Sequence, residues 1–308
     1  MSYPYLTDFI NTAFGTNWNI PMPTFGAFVA LAILVAAAVA KKEVMRFEKL
    51  GILPMARVAS NNVPVHSLIA DLAMISALFG ILGARIFHIL EYPHMFLENP
   101  WGMIFSRDGL SIYGGLIFGV VSGTIYLRKR AVPILPMLDA MAPSIALGYG
   151  IGRIGCQVSG DGDWGAAANM ALKPDWLSDW FWAQTYDNNI AGVLIPSPGV
   201  YPTPIYESLM AFTLFLVLWL LRKNSYRMGY IFSIYLLLSG FSRLLIEKIR
   251  INSEYHLLGM DFTQAELISV ALILGGLFGV LKSTKSKAAQ KVMFSLIVLS
   301  AVTACSVF

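Results

Sequence analysis

The sequence predicts an all-α fold: a polytopic membrane helix bundle of seven transmembrane helices, with a possible eighth at the C-terminus and the N-terminus outside. Three observations carry this reading. Of 308 residues, 56% are hydrophobic and only 13% charged, roughly half the charged share of a soluble domain. Apolar runs long enough to cross a bilayer, about 20 residues each, recur along nearly the whole chain. Basic clusters occupy every second connection between them. A water-soluble globule, a disordered chain, collagen and a coiled coil are thereby excluded, and the continuous runs, lacking strand-like alternation, exclude a membrane barrel.

Charges, prolines and polar clusters bound the spans. The first, 25–40, follows Pro21 and Pro23 and closes on Lys41 and Lys42; the second, 67–90, closes at Glu91. The third, 110–127, ends at Arg128-Lys129-Arg130, and the fourth, 137–156, runs into a polar stretch. The fifth, 205–221, stops at Arg222; the sixth, 228–247, starts after Arg227; the seventh, 264–281, ends at Lys282. A weaker eighth, 292–308, uses the tail 289–308. Residues 1–24 lack Lys and Arg and are broken by Pro4, Pro21 and Pro23, unlike a cleavable signal peptide, so the first span is expected to be retained.

The basic clusters are Lys41, Lys42, Arg46 and Lys49; Arg128 to Arg130; Arg222, Lys223 and Arg227; and Lys282, Lys285, Lys287 and Lys291. The positive-inside rule makes these connections cytoplasmic. The net charge of +4 then reports topology, with no nucleic-acid partner. The longest external loop, about 157–204, carries one basic residue, Lys173, and Trp164, Trp176, Trp180 and Trp182. Indole rings favour the headgroup layer, so the loop is expected on the outer membrane surface, and residues 1–308 are read as one integral-membrane domain. Cys156 and Cys305 lie outside any CxxC or Cys/His spacing and indicate neither a disulfide framework nor a zinc site.

Arg85, Arg153, Arg243 and Glu247 sit in or at the ends of spans, where a central ionised side chain costs about 2.5–3.5 kcal/mol even on the lenient insertion scale. Each needs compensation. Asp71 stands four turns before Arg85, on one face with it. Arg243, Glu247 and Arg250 also share a face. Internal ion pairs or snorkelling explain such residues, above all Lys248 and Arg250, which lie beyond the span. Arg153 is different: Gly148, Gly150, Gly152 and Gly155 surround it and open its helix to close approach. Arg85, Arg153 and Arg243 all map to the outer half of the bilayer, where converging guanidiniums suit a phosphate; phospholipid is the anion at that depth. Gly115, Gly119 and Gly123 read most simply as a helix-packing stripe.

Several of these residues belong to an ordered set of patterns that resembles the prolipoprotein diacylglyceryl transferase family. They are Gly83-Ala-Arg85-Ile; Arg107-Asp-Gly109-Leu-Ser-Ile-Tyr113-Gly114-Gly115-Leu-Ile; Asp139-Ala-Met-Ala-Pro143 with Gly152-Arg153-Ile-Gly155 running on to Trp164-Gly165; Pro202-Thr-Pro-Ile-Tyr206-Glu207; Gly240-Phe-Ser-Arg243-Leu-Leu-Ile-Glu247-Lys-Ile-Arg250; and Gln264-Ala-Glu-Leu-Ile-Ser. The resemblance covers about residues 66–282. After Gly155 the family signature reads Asn-Phe-x-Asn-Gly-Glu, whereas this chain has Cys156, Ser159 and then Asp161 or Asp163, with one extra residue before Trp164. Phe25 stands where the family has a tyrosine, and Tyr113 where many members have histidine.

The resemblance implies a multi-pass enzyme of the bacterial cytoplasmic (inner) membrane. It would transfer the diacylglyceryl group of phosphatidylglycerol to the lipobox cysteine thiol of prolipoprotein signal peptides and release glycerol phosphate. Neither a cofactor nor a metal is expected. Arg153 and Arg243 would grip the phosphate and stabilise its growing charge. Glu247 would orient Arg243 or accept a proton, and Tyr113 would donate a hydrogen bond or relay a proton. Arg85, Asp139, Gly114, Gly115, Ser159, Asp161, Tyr206 and Glu207 would line the substrate, although Asp139 also suits a helix cap and Asp161 and Asp163 a loop turn. His88, His94 and Glu91 make an incomplete metal set, and Val302-Thr-Ala-Cys305 is a chance likeness to a lipobox. A paralogous transferase with another acceptor, and a lipid transporter or scaffold without chemistry, are the alternatives.

Overall fold

A computed structural model describes residues 2–106, 109, 111–223, 227–251, 254–257 and 260–283. The expected eighth helix at 292–308, Cys305, Arg107 and Asp108 lie outside the described residues. The elements in chain order are α1 (Leu6–Phe14), α2 (Thr24–Lys49), the hairpin β1 (Ala56–Val58) and β2 (Asn61–Val63), α3 (Ile69–Glu91), α4 (Pro93–Glu98), α5 (Pro100–Phe105), α6 (Ile112–Lys129) and α7 (Ile134–Ser159). There follow α8 (Asp179–Trp182), α9 (Thr203–Leu221), α10 (Tyr230–Glu247), the hairpin β3 (Glu254–Leu257) and β4 (Met260–Thr263), and α11 (Gln264–Ser283).

Each of the seven expected spans is a helix. Six are long and apolar enough to cross a membrane: α2, α3 with its preceding turn, α7, α9, α10 and α11. The exception is α6, whose short length includes Arg128 and Lys129 at its end and four glycines within it. Exposed Leu34, Ile81, Leu220 and Phe278 give the spans the outward apolar faces that lipid contact requires. The chain is a mostly helical, multi-pass membrane protein.

The chain divides into two compact units, residues 37–140 and residues 1–36 with 141–308. In the first, α2 runs past Lys41 to Lys49, because Val44 and Phe47 continue the buried stripe and Glu43 pairs with Arg46 at 2.9 Å. Basic Arg46 and Lys49 favour the carbonyl end of the helix. Helices α3 and α6 pack backbone to backbone. A Cβ on Gly83 would strike the carbonyl oxygen of Gly114, and one on Gly114 that of Gly83; one on Gly119 would stand 3.3 Å from the Ser76 oxygen. Gly114 and Gly115 therefore have a packing role along α3.

In the second unit, Ala142 and Ala146 of α7, Leu214 and Leu218 of α9 and Ile231 of α10 form a buried core. The hydroxyl of Ser208 donates to the Gly150 carbonyl at 2.9 Å and fastens α9 to α7. Gly240 of α10 lies against the Ser269 carbonyl of α11, which a Cβ would approach to 2.8 Å. Residues 160–202 fold back on this unit: Gly165 pairs with Arg250, and Val200 with Ala167 and Gln184. Trp164 and Tyr186 rings meet at 5.1 Å beneath them, whereas Trp176 and Trp180 are exposed.

Candidate functional site

Helical spacing stacks Tyr149, Arg153 and Cys156 on one face near the C-terminal end of α7. After Ser159 the chain turns through Gly160 (φ 63°) and Gly162 (φ 98°), left-handed conformations that suit glycine. This turn returns Asp161 and Asp163 over Arg153. The Asp163 backbone is pinned: its N–H donates to Asp161 Oδ1 at 3.2 Å, and its carbonyl accepts from the Thr203 hydroxyl at 2.7 Å. Glu207 enters from the second turn of α9. Arg250, just beyond α10, is positioned by strand-like pairing with Gly165 and by the Ala166 N–H, which donates to the Ile249 carbonyl at 2.8 Å.

The four charged side chains close a ring of alternating sign. Arg153 donates through Nη1 to Asp163 Oδ2 and pairs through Nε with Glu207 Oε2 at 2.7 Å. Arg250 donates through Nη2 to Asp163 Oδ1 and through Nη1 to Glu207 Oε1 at 3.3 Å. Each carboxylate thus gives one oxygen to each guanidinium, the fork geometry that makes arginine the residue for planar anions. The Tyr149 hydroxyl donates to Glu207 Oε2 and accepts from Arg153 Nε at 3.1 Å. Side-chain exposure is 12% for Arg153, 13% for Arg250 and 3% for Glu207, but 28% for Asp163. Burial pushes the Asp163 carboxyl up, yet Arg153 and Arg250 outweigh it and hold the group below the ordinary carboxylate range. Neighbouring Asp161 has no such pair among the described residues, and burial raises its carboxyl.

A second ion pair stands on α10. Arg243 Nη2 lies 3.0 Å from Glu247 Oε2, with the Glu247 side chain 2% exposed. Arg243 Nη1 is buried and has no hydrogen-bond partner among the described residues. Such a donor costs about 1–3 kcal/mol unless an acceptor reaches it.

Other expected site residues have different surroundings. Arg85 is compensated by a loop rather than by Asp71: Nη1 donates to the Met103 carbonyl (3.0 Å), the Ser106 hydroxyl (2.8 Å) and the Gly109 carbonyl (3.1 Å), and Nη2 to the Ser106 carbonyl. Asp71 instead accepts from the Tyr126 hydroxyl at 3.1 Å. Asp139 is no cap, because α7 starts five residues earlier, at Ile134; it is buried inside the helix. Ser159 is fully buried, its hydroxyl returned to the Cys156 carbonyl at 3.4 Å. The Tyr206 hydroxyl donates to the Phe181 carbonyl. Tyr113, half-buried in the first turn of α6, belongs to the other unit.

Tyr149 carries no sequence signal, and Arg250 is read from sequence only as an internal ion pair or a snorkelling residue. Arg250 lies beyond the apolar run, so the cost of burying charge in a membrane gave no signal there; its place at the end of Arg243-x-x-x-Glu247-x-x-Arg250 was the available one. Cys156 Sγ and carboxylate oxygens of Asp161 and Asp163 lie within 4.8 Å of one another, close enough to bridge an ion. The donor set does not suit a cation, however: guanidiniums occupy both Asp163 oxygens, and Arg153 Nη1 is 3.7 Å from Sγ. The arrangement favours an anion.

The chain is similar to known proteins along most of its length. The profile of a family described as prolipoprotein diacylglyceryl transferase matches residues 12–282, which extends the likeness through α2. A phosphatidylglycerol--prolipoprotein diacylglyceryl transferase of Leptospira interrogans is 30% identical, covering 91% of this chain and 94% of its own. Proteins of the same name from Shouchella clausii (32% identical, 68% of this chain and 72% of the relative) and Bacillus cytotoxicus (29%, 88% and 91%) are also similar.

Proposed function

Because the chain belongs to the prolipoprotein diacylglyceryl transferase family, we propose that the buried arginine ring and Arg243 are its phosphate-handling centre. The enzyme transfers the diacylglyceryl group of phosphatidylglycerol to the cysteine thiol of a prolipoprotein lipobox. Sulfur bonds to the terminal glycerol carbon, the carbon–oxygen bond to phosphate breaks, and glycerol phosphate leaves with the bonding pair. The protein's task is to neutralise that growing charge and bring the thiol in line with the breaking bond.

The observation that carries the site assignment is the grip of Arg153 and Arg250 on the two oxygens of a single carboxylate. Two phosphate oxygens present a similar planar pair to the same forks. Arg243 offers its buried, unpartnered Nη1 as a further donor, and Glu247 holds it in orientation. Tyr113 serves as a hydrogen-bond donor; Glu207 is the fixed counter-charge of the ring. Tyr206 and Ser159 shape the surroundings through the backbone. Arg85 holds Met103, Ser106 and Gly109.

In the bacterial inner membrane, seven helices including α6 span the bilayer with the N-terminus outside. Alternating basic clusters support this topology, as do exposed Trp176 and Trp180 on a loop that lies at the outer surface. The test is complementation of a bacterium depleted of its own transferase. Lipoproteins carrying the added diacylglyceryl mass support the assignment, and unmodified precursors refute it.

A further inference from the structure

The arginine ring is filled by the protein's own anions, and its two carboxylates differ in how firmly they are held. Glu207 lies on α9, almost wholly enclosed, with Tyr149 donating to it as well. Asp163 sits in a loop, its side chain more than a quarter exposed, directly after the left-handed Gly162. Its backbone is anchored to Thr203, so its carboxylate can turn out of the ring without moving the loop. We infer that Asp163 is an internal stand-in for the donor phosphate, displaced when the lipid binds, and that the displaced carboxylate takes the proton of the acceptor thiol.

This rests on the proposed function and follows from charge and reach. Arg153, Arg250, Asp163 and Glu207 sum to zero, and a phosphodiester replacing Asp163 carries the same single charge, so the exchange leaves the ring neutral. While two guanidiniums hold Asp163, it is a poor base. Once released, it keeps its partial burial and the neighbouring Asp161 but loses both cations, which increases its affinity for a proton. Sulfur already packs against this carboxylate in the protein itself, Cys156 Sγ lying 3.8 Å from Asp163 Oδ2, and the acceptor thiol would meet the carboxylate on its exposed side. In the step itself, the thiol proton passes to Asp163 as sulfur forms its bond to the glycerol carbon. The carbon–oxygen bond breaks, and the phosphate keeps the electron pair against the guanidiniums. Asp163 then gives its proton to water, returns to the ring and expels glycerol phosphate.

The test uses the full-length protein with phosphatidylglycerol micelles and a lipobox peptide. Asp163→Asn removes both competing charge and base, so inhibition by glycerol phosphate should tighten about ten-fold while kcat falls about a hundred-fold, the scale of a lost general base. Asp163→Glu should restore much of kcat. In the wild type, calorimetric titration with glycerophosphoglycerol near pH 6 should show fractional proton uptake that fades at higher pH, where the displaced carboxylate stays ionised and free to take the thiol proton, while the phosphodiester does not titrate there. The groups facing Asp163 that share this readout are Arg153, Arg250, Asp161 and Cys156, with Glu207 and Tyr149 across the ring; uptake should vanish in Asp163→Asn. Weaker glycerol phosphate inhibition in Asp163→Asn, unchanged kcat, or no proton uptake by the wild type would overturn the inference. The wild-type measurement decides the matter if Asp163→Asn does not fold. A wild type that fails to lipidate the peptide would instead refute the function from which the inference starts.

Discussion

Arg153→Lys separates charge from geometry at the ring. The arginine now makes two charge-assisted contacts in different directions, with Asp163 through Nη1 and with Glu207 through Nε. A lysine keeps the positive charge but lacks the fork, so one ammonium can hold one of the two carboxylates well. Losing one charged hydrogen bond costs about 1.5–3 kcal/mol. In the transition state, where phosphate replaces Asp163, the same loss corresponds to about a ten- to a hundred-fold fall in kcat. Arg153→Ala goes further and leaves buried carboxylates short of a cation, a loss of about 3–5 kcal/mol in stability. Arg153→Lys should therefore melt closer to wild type than Arg153→Ala does, yet transfer diacylglycerol almost as poorly. Peptide lipidation followed by mass spectrometry, beside a thermal melt in detergent, measures both. A lysine enzyme of full activity would show that the fork is irrelevant, and one whose activity falls only in proportion to its folded fraction would make Arg153 structural.

Other expectations concern separate parts of the molecule. Tyr113→Phe should lower turnover about ten- to a thousand-fold with little change in KM for the lipid; unchanged turnover would leave Tyr113 a packing residue. Gly83→Ala should loosen α3 from α6, because its Cβ would meet the Gly114 carbonyl and the Phe118 side chain, and the first unit should lose protease resistance; a fully resistant variant would contradict that packing. The Asp163 carboxyl is held below its unfolded value of about 3.9, so its stabilisation is complete above that value and lost as pH falls through the lower folded one. Asp161 has the opposite sign: its raised value makes the fold lose stability as pH rises through it. Asp163→Asn should thus flatten the acid side of a melting profile, and Asp161→Asn the side above the ordinary carboxylate range. Cysteines placed at Arg46 and Trp176 should be labelled by a membrane-impermeant reagent at Trp176 alone; outside labelling at Arg46 would reverse the topology.

The helices are legible because each apolar run ends in charge, proline or a polar stretch, as at Arg222 after α9 and Lys282 in α11. The extension of α2 to Lys49, the amphipathic α1 and both short hairpins had no such run to announce them. Within the site, Arg153 and Glu207 could be found because a charge in a span demands a partner and because both stand in family-like patterns. The ring itself could not, since Asp163 reaches Arg250 only after Gly160 and Gly162 turn the loop and Gly165 pairs beside Arg250, contacts that span 87 positions. Arg85 shows where the charge argument stops. It correctly demands compensation, but the partners Arg85 finds among the described residues include three backbone carbonyls and a hydroxyl, groups that every loop carries and no sequence pattern announces.

The most direct measurement is in vitro transfer by the purified wild-type protein from phosphatidylglycerol labelled in its glyceryl carbons to a synthetic lipobox peptide, read by mass spectrometry. The account predicts that the peptide gains one labelled diacylglyceryl group on its cysteine sulfur, with one glycerol phosphate released per peptide modified. A fully folded protein that leaves the peptide unmodified, or moves label to any atom other than that sulfur, would contradict it.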